Sequence, residues 1–102
     1  MITYNVNGLD VGFGVKNDRV ETFFCVGEEE NIGEMLSQAA AALYNFAGVE
    51  NVSYWYPNLL DQLLNARAGT ETEKAPFIEG VCIFQLYRNK KQYFFILSVI
   101  GG

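Results

Sequence analysis

The first 26 residues, MITYNVNGLDVGFGVKNDRVETFFCV, decide the fold because they contain two hairpin turns separated by eight residues. Asn7-Gly8 is the dipeptide that most strongly favours a two-residue hairpin, since both residues tolerate positive φ. Asn17-Asp18 carries a weaker form of the same signal. We therefore predict three antiparallel strands, joined in chain order, over residues 1–26.

These two turns determine which side chains share a face of the sheet, because side chains alternate along a strand with a period of two. The first turn pairs Tyr4 with Val11, and the second pairs Val11 with Phe24. One face is then apolar, and the other, mostly polar or glycine, is expected to meet water. The predicted apolar face consists of Ile2, Tyr4, Val6, Leu9, Val11, Phe13, Val15, Val20, Thr22, Phe24 and Val26.

The middle of the chain predicts two helices. Residues 31–47 carry apolar side chains at helical spacing, and Asn31 with Glu34 matches a capping box in which Asn replaces Ser or Thr. A second, shorter helix is expected to begin at Pro57, since proline is well tolerated at the first helical position. Gly69 is expected to end it.

The C-terminal segment predicts another hairpin, and this one is apolar on both faces. A turn at Asn89-Lys90 pairs Leu86 with Tyr93 on a face that should join the core. The reverse face is also rich in apolar residues, although a sheet covered by helices on one side is usually polar on the other. Contiguous exposed apolar patches usually mark interaction sites. The predicted partner-binding residues of this hairpin are Val81, Ile83, Phe94, Ile96 and Ile100.

Two interpretations of this patch stay open. It can bind a partner or a second copy of the chain, or the chain's own segments 48–56 or 69–76 can cover it. In either case the elements predict one α+β domain over residues 1–102, with a five-stranded, mostly antiparallel sheet and two helices on one face, in the order βββααββ. One domain is the expectation for a chain of 102 residues.

Tyr54-Trp55-Tyr56 is a second candidate binding segment, because Tyr and Trp dominate binding hot spots. In an extended segment, Trp55 and the two tyrosines would point in opposite directions. The alternative is that Trp55 anchors the second helix to the sheet while both tyrosines lie partly exposed.

Composition argues against catalysis and against a cofactor. The chain has no histidine, which removes histidine-based triads, dyads and metal sites. Cys25 and Cys82 lie far apart within apolar runs, which favours two buried thiols over a disulfide. Glu28-Glu29-Glu30 is explained by charge at a helix N-terminus. We therefore expect no enzyme, no catalytic residue, no metal and no cofactor.

Charge and hydropathy limit the partners. Seven basic and twelve acidic residues give a net charge of −5, so binding to nucleic acid by phosphate neutralisation is not expected. No apolar run approaches the roughly 18 residues that cross a membrane. The first residues, Met1 to Tyr4, lack the pattern of a signal peptide. We expect a cytoplasmic protein with neither nucleic-acid nor membrane partners.

The sequence therefore predicts a small acidic, non-enzymatic protein-binding protein, either an adaptor or an inhibitor such as a mobile element uses against a host protein. It is expected to be a homodimer through its C-terminal hairpin. One alternative is a small-molecule-binding module with a pocket near Trp55. Another uses Gly101-Gly102, which resembles the diglycine end of ubiquitin-like modifiers and sulfur-carrier proteins, although the flexible tail expected before it is missing.

Overall fold

The computed structural model describes residues 2–48, 52–68, 77–78 and 82–99. The predicted α+β fold is confirmed: the five predicted strands and two helices are present in the predicted order, and one additional two-residue strand lies before the C-terminal hairpin. The elements are β1 (Ile2–Val6), β2 (Leu9–Lys16), β3 (Arg19–Glu28), α1 (Ile32–Asn45), α2 (Val52–Arg67), β4 (Phe77–Ile78), β5 (Cys82–Asn89) and β6 (Gln92–Val99).

All the strands form one antiparallel sheet, in the order β1-β2-β3-β6-β5-β4. The three N-terminal strands, β1 to β3, and the C-terminal hairpin of β5 and β6 therefore meet at the centre of the sheet, where β3 pairs with β6. Helix α1 packs on β3 and β6, and α2 packs on β5. Both helices contribute to one core with the same face of the sheet, which we call the covered face.

The first hairpin follows its prediction. Tyr4 lies opposite Val11 and Ile2 opposite Phe13, and Asn7 and Gly8 both have positive φ. Asn17 and Asp18 also have positive φ and close the second turn. The side chain of Asn5 stabilises the first turn, because its Oδ1 accepts a hydrogen bond from the Gly8 N–H at 3.4 Å.

The predicted register of β3 is wrong beyond its first residues. Val15 lies opposite Val20 as predicted, but Gly14 lies opposite Thr22, so Glu21 is an extra residue in β3. This β-bulge exchanges the two faces of the strand. The core therefore receives Phe23 and Cys25, whereas Thr22, Phe24 and Val26 point to the other side.

The far end of the first hairpin is less buried than predicted. Ile2, Tyr4 and Val15 lie on the covered side of the sheet, yet they are 54%, 45% and 52% exposed. The physical reason is the placement of the helices, which pack on β3, β6 and β5. The covered face is thus shielded at its centre and open toward the β1 edge.

Asn31 has a different role from the predicted capping box. Three residues of 3-10 helix, Glu29–Asn31, precede α1, and Asn31 makes no side-chain cap hydrogen bond to α1. Its Oδ1 accepts a hydrogen bond from the Glu28 N–H at 3.1 Å, and its Nδ2 donates to the Asn7 carbonyl at 3.3 Å. Asn31 therefore connects the first hairpin turn to the start of the helical layer.

The predicted start of α2 at Pro57 is also wrong. The helix begins at Val52, and Pro57 lies inside it, at the sixth position. A proline there removes one backbone hydrogen bond of the helix. Burial of Leu59, Leu63 and Ala66 in the core explains why the helix tolerates this loss.

The C-terminal hairpin turns one residue later than predicted, at Lys90-Lys91, because Asn89 still pairs with Gln92. Leu86 therefore lies opposite Phe95 instead of Tyr93. The register differs from the prediction by two residues, and a shift of two keeps every side chain on its predicted face. The predicted core face is accordingly buried: Cys82, Phe84, Leu86, Tyr93, Phe95 and Leu97.

Neither helix in the described ranges is long and apolar enough to span a bilayer.

Candidate functional site

The reverse of the covered face is an apolar surface that spans the three neighbouring strands β3, β6 and β5. Two rows of paired residues build it. Val26 lies opposite Phe94, and Phe94 lies opposite Tyr87. In the next row, Phe24 lies opposite Ile96. We call this surface the open face, and its apolar residues are Phe24, Val26, Ile83, Tyr87, Phe94 and Ile96.

The aromatic rings of the open face pack closely against neighbouring residues of the sheet. The rings of Tyr87 and Phe94 stack with centroids 5.1 Å apart and planes 9° apart. The Phe24 ring lies over Gly12, where a Cβ would come within 2.5 Å of its Cζ. The glycine in β2 thus gives Phe24 the space to lie flat across the neighbouring strand.

Exposure is intermediate across most of this surface. Ile83 is 39% exposed, and Phe94 and Ile96 are half-buried, as are Phe24 and Val26. None of these residues belongs to the core that the helices share with the covered face. Contact between neighbouring side chains on the sheet contributes to this partial burial, as the stacked rings of Tyr87 and Phe94 show. Val81 and Ile100, which the sequence also predicts for this patch, lie outside the described residues.

The apolar residues of the open face are bordered by neutral polar residues and by carboxylates, and the carboxylate of Asp10 lies beside Val26, its partner in the neighbouring strand. Thr22 and Ser98 face each other at one end. Glu28, which pairs with Gln92, brings a carboxylate to the other end. A surface of this kind can be covered by another protein without burying an unpaired charge, which would be costly.

Sequence reasoning missed Phe24 and Val26 as members of this face. Residues 23–26 are Phe, Phe, Cys and Val, so both faces of this part of β3 are apolar and the pattern cannot separate them. The bulge at Glu21 decides between them. The one signal in the sequence is Gly27, which the bulge places against Leu9 in the core, where a Cβ would clash with the Leu9 side chain.

The predicted Tyr54-Trp55-Tyr56 segment is helical, so the prediction of an extended segment is wrong. All three residues belong to α2. Trp55 is half-buried and packs against the core, whereas Tyr56 is 37% exposed, and the side chain of Tyr54 lies outside the description. The segment is on the helical side of the sheet, away from the open face.

The acidic run before α1 holds the helical layer to the sheet. Glu29 forms an ion pair with Arg67 at the end of α2, and its Oε2 accepts a hydrogen bond from the buried Tyr93 hydroxyl at 2.5 Å. The Arg67 guanidinium and the Tyr93 hydroxyl lower the pKa of the Glu29 carboxyl. This carboxylate therefore has a structural explanation.

Both thiols are buried, and burial disfavours their ionised form. Cys25 pairs with Phe95, and Cys82 with Val99, so β6 separates the two cysteines and their Cα atoms are at least about 9 Å apart, too far for a disulfide. Both cysteines are free. Burial raises the pKa of the Cys25 thiol to about 12 and that of Cys82 to about 11. A protonated thiol is a poor nucleophile and metal ligand.

Within residues 2–48, 52–68, 77–78 and 82–99, no three Cys, Asp or Glu side chains come together in a way that could hold a metal ion. The carboxylate with a shifted pKa, Glu29, is bound to Arg67 and is more than half exposed.

Comparison with known proteins finds no matching family model, no matching curated protein and no matching solved structure.

Proposed function

We propose that this chain is a non-enzymatic protein-binding protein that uses its open face, and that its first partner is a second copy of itself. The observation that carries the proposal is the row of stacked and paired apolar side chains across β3, β6 and β5, centred on Phe94. Two packed layers are the common architecture of a domain, and here the described helices supply a second layer to one face of the sheet.

A second copy suits this surface because its apolar centre carries no charge. Each copy carries a net charge of −5, and the carboxylates of Asp10 and Glu28 lie at the margin of the open face, so the centres of two open faces can meet without opposing like charges. Sheets that pack face to face lie about 10 Å apart with interdigitating side chains. The ordered rings of Phe94 and Tyr87 are suited to such packing.

The open face is large enough to form the centre of a homodimer interface. Three strands about 4.8 Å apart and about 3.3 Å per residue along eight residues give a flat projection of roughly 380 Å². Standard protein interfaces bury about 800 Å² on each partner. The open face would therefore supply the apolar centre of such an interface, and the polar residues around it would supply the rim.

The remaining parts of the proposal follow from composition. Absence of histidine and the high pKa of both thiols support a non-enzymatic role without a cofactor. Two free thiols suit a reducing compartment, so we place the protein in the cytoplasm. An adaptor, or an inhibitor of the kind that mobile elements carry, would use the same dimer to present its outer surfaces to a further protein.

Two alternative functions have less support than this proposal. A small-molecule pocket near Trp55 would give ligand-dependent tryptophan fluorescence, but Trp55 packs against the core. The modifier alternative depends on Gly101-Gly102, which lies outside the described residues. A chain without the two glycines that behaves normally would count against it.

The test is the mass of the protein in solution, measured by light scattering and by sedimentation over a range of concentrations. Phe94→Glu places a carboxylate in the centre of the open face, and we expect it to abolish association through this face while circular dichroism stays unchanged. Leu64→Glu is the matched control, because Leu64 is 61% exposed on α2 and the same charge is added away from the open face.

Ile83→Glu provides a second test at the margin of the open face, where a fold defect is less expected because Ile83 is already 39% exposed. A mass that stays at the wild-type value in both variants would contradict the proposal. Loss of association in the Leu64→Glu control as well would show that added charge, and not the open face, is responsible.

A further inference from the structure

Within the part of the sheet that the structure describes, the outer edge of β1 is the longer of the two edges. Among the described strands, β1 pairs with β2 alone, and it has five residues. The opposite edge ends in the two-residue strand β4. Short edge strands, charges and prolines protect an edge from pairing with another chain. The β1 edge, with the sequence ITYNV, has none of these protections.

The hairpin register determines which backbone groups of β1 face outward. Val6 and Leu9 flank the two-residue turn, and in antiparallel strands the pairs alternate between hydrogen-bonded and non-hydrogen-bonded. The backbone groups of Val6, Tyr4 and Ile2 therefore bond to β2. Those of Thr3 and Asn5 point away from the sheet, where they can bond to another strand.

We propose that β1 pairs antiparallel with β1 of a second copy, with Tyr4 opposite Tyr4. This register places Thr3 opposite Asn5 of the second copy, and Asn5 opposite its Thr3. Each of these is a hydrogen-bonded pair, in which the two residues exchange both N–H···O bonds. The outward groups of Thr3 and Asn5 are thus satisfied, and one continuous sheet joins the two copies.

The side chains of β1 are self-complementary in the same register. Ile2, Tyr4 and Val6 share the helical side of the sheet, so Ile2 meets Val6 of the second copy and the two tyrosines lie next to each other. Ile2 and Tyr4 are 54% and 45% exposed, which is the surface that such pairing covers. No residue of β1 is charged, so like charges do not oppose the contact.

A row of aromatic rings supports the second copy as the occupant. It runs along the covered face through Phe95, Phe23, Phe46 and Phe13 and ends at Tyr4, whose ring meets that of Phe13 at 6.2 Å and 74°. Tyr4 of the second copy would continue this row across the new strand pair, since aromatic cross-strand pairs are favourable.

The helices leave room for this arrangement. A two-fold axis perpendicular to the sheet keeps the helices of both copies on the same side. Helix α1 packs on β3 and β6, so β1 and β2 of each copy lie between the two helical layers. The pairing uses neither Phe94 nor any other residue of the open face, so it is independent of the function proposed above.

The first experiment uses Thr3→Pro in the full chain. Proline removes the outward N–H of Thr3 and leaves the bonds of Ile2, Tyr4 and Val6 to β2 in place, and edge strands accept proline at such positions. Thr3→Ala is the matched control because it keeps the N–H. We expect Thr3→Pro to halve the mass of the assembly, and Thr3→Ala to leave it unchanged.

Combination with Phe94→Glu separates this proposal from the open-face dimer. If both contacts exist, the wild type is larger than a dimer, each single variant is a dimer, and Thr3→Pro/Phe94→Glu is a monomer. A wild-type dimer that Phe94→Glu alone converts to a monomer overturns the β1 pairing and leaves the open-face dimer standing. A wild-type dimer that Thr3→Pro alone converts to a monomer supports the β1 pairing and overturns the open-face dimer. A monomeric wild type overturns both.

Amide hydrogen exchange of the wild type gives a readout that needs no variant. In an unpaired edge the Thr3 and Asn5 amides face solvent and exchange rapidly. With β1 paired, their protection should rise at least about tenfold between low and high protein concentration, as expected for amides held in a strand ladder. Rapid exchange of both amides at every concentration overturns the proposal, even if the protein associates.

Discussion

Both faces of the sheet carry aromatic side chains at their centre, but the surroundings of these side chains differ. On the covered face, Phe84 and Phe95 are fully buried against α1 and α2. Phe94 and Ile96 are the neighbours of Phe95 on β6, but their side chains point to the open face, where they are half-buried. Hydrophobic pattern alone therefore does not separate the core from the candidate binding surface. The placement of the helices does.

The largest expected difference between the faces is between two neighbours on β6. Phe95→Ala removes a fully buried ring from the core and should lower the free energy of unfolding by about 3–5 kcal/mol. Phe94→Ala removes a ring that contacts Tyr87 on the open face and should cost about 1 kcal/mol in the monomer. Urea denaturation at low protein concentration measures both.

If Phe94→Ala and Phe95→Ala lowered the free energy of unfolding equally, the expected difference between the open and covered faces would be contradicted. Such a result would mean that part of the chain outside the described residues packs on the open face and makes it a second core. It would also remove the main argument for association through Phe94.

Two glycines on opposite faces test the same comparison with smaller changes. A Cβ on Gly27 would clash with Leu9 in the core, and a Cβ on Gly12 would meet the Phe24 ring on the open face. Neither glycine has positive φ, so only space opposes an alanine. We expect Gly27→Ala to cost about 1–3 kcal/mol, as overpacking of a core does.

Gly12→Ala should cost less than Gly27→Ala, because the Phe24 ring can turn away from the sheet into solvent. Thermal denaturation of the two variants at one protein concentration compares them directly. A larger loss from Gly12→Ala would mean that Phe24 is held in place as firmly as a core side chain.

The smallest expected effect concerns the contact that holds the helical layer to the covered face. Hydrogen bonds from Arg67 and Tyr93 lower the pKa of Glu29. Its stabilising effect is then fully present above the pKa of an unfolded Glu, about 4.3, and is lost as the pH falls through the lowered value. Glu29→Gln should therefore reduce the melting temperature near neutral pH and make it less sensitive to acid.

This effect should be small because Glu29 and Arg67 are 54% and 50% exposed, and exposed ion pairs contribute little to stability. Asp18→Asn is a suitable control, since it removes one carboxylate at a turn away from this contact. The same acid response in Glu29→Gln as in the wild type would contradict a role for the Glu29 carboxylate.

Much of this fold could be predicted because turn residues and strand period agree in the first hairpin. Asn7-Gly8 gives one register, and the alternation of Tyr4 and Val6 with polar residues supports the same one. The faces of the C-terminal hairpin were predicted correctly although its turn was not, because the shift of two residues preserves the alternation.

The errors arise where local sequence has no preference between two structures. Both faces of β3 are apolar around Phe23 and Phe24, so the pattern could not reveal the bulge at Glu21. Pro57 is compatible with a helix start, and only the burial of Leu59 and Leu63 explains a helix that begins before it. Membership of Phe24 and Val26 in the candidate site depends on these tertiary contacts.

The bulge lets the strand hold one extra residue without changing which side chains reach the core. If Glu21 were deleted, regular pairing would still place Val20 opposite Val15 and Thr22 opposite Gly14. Phe23 and Cys25 would still point inward, and Phe24 and Val26 outward. The chain can therefore vary in length by one residue at this position while both faces of the sheet keep their composition.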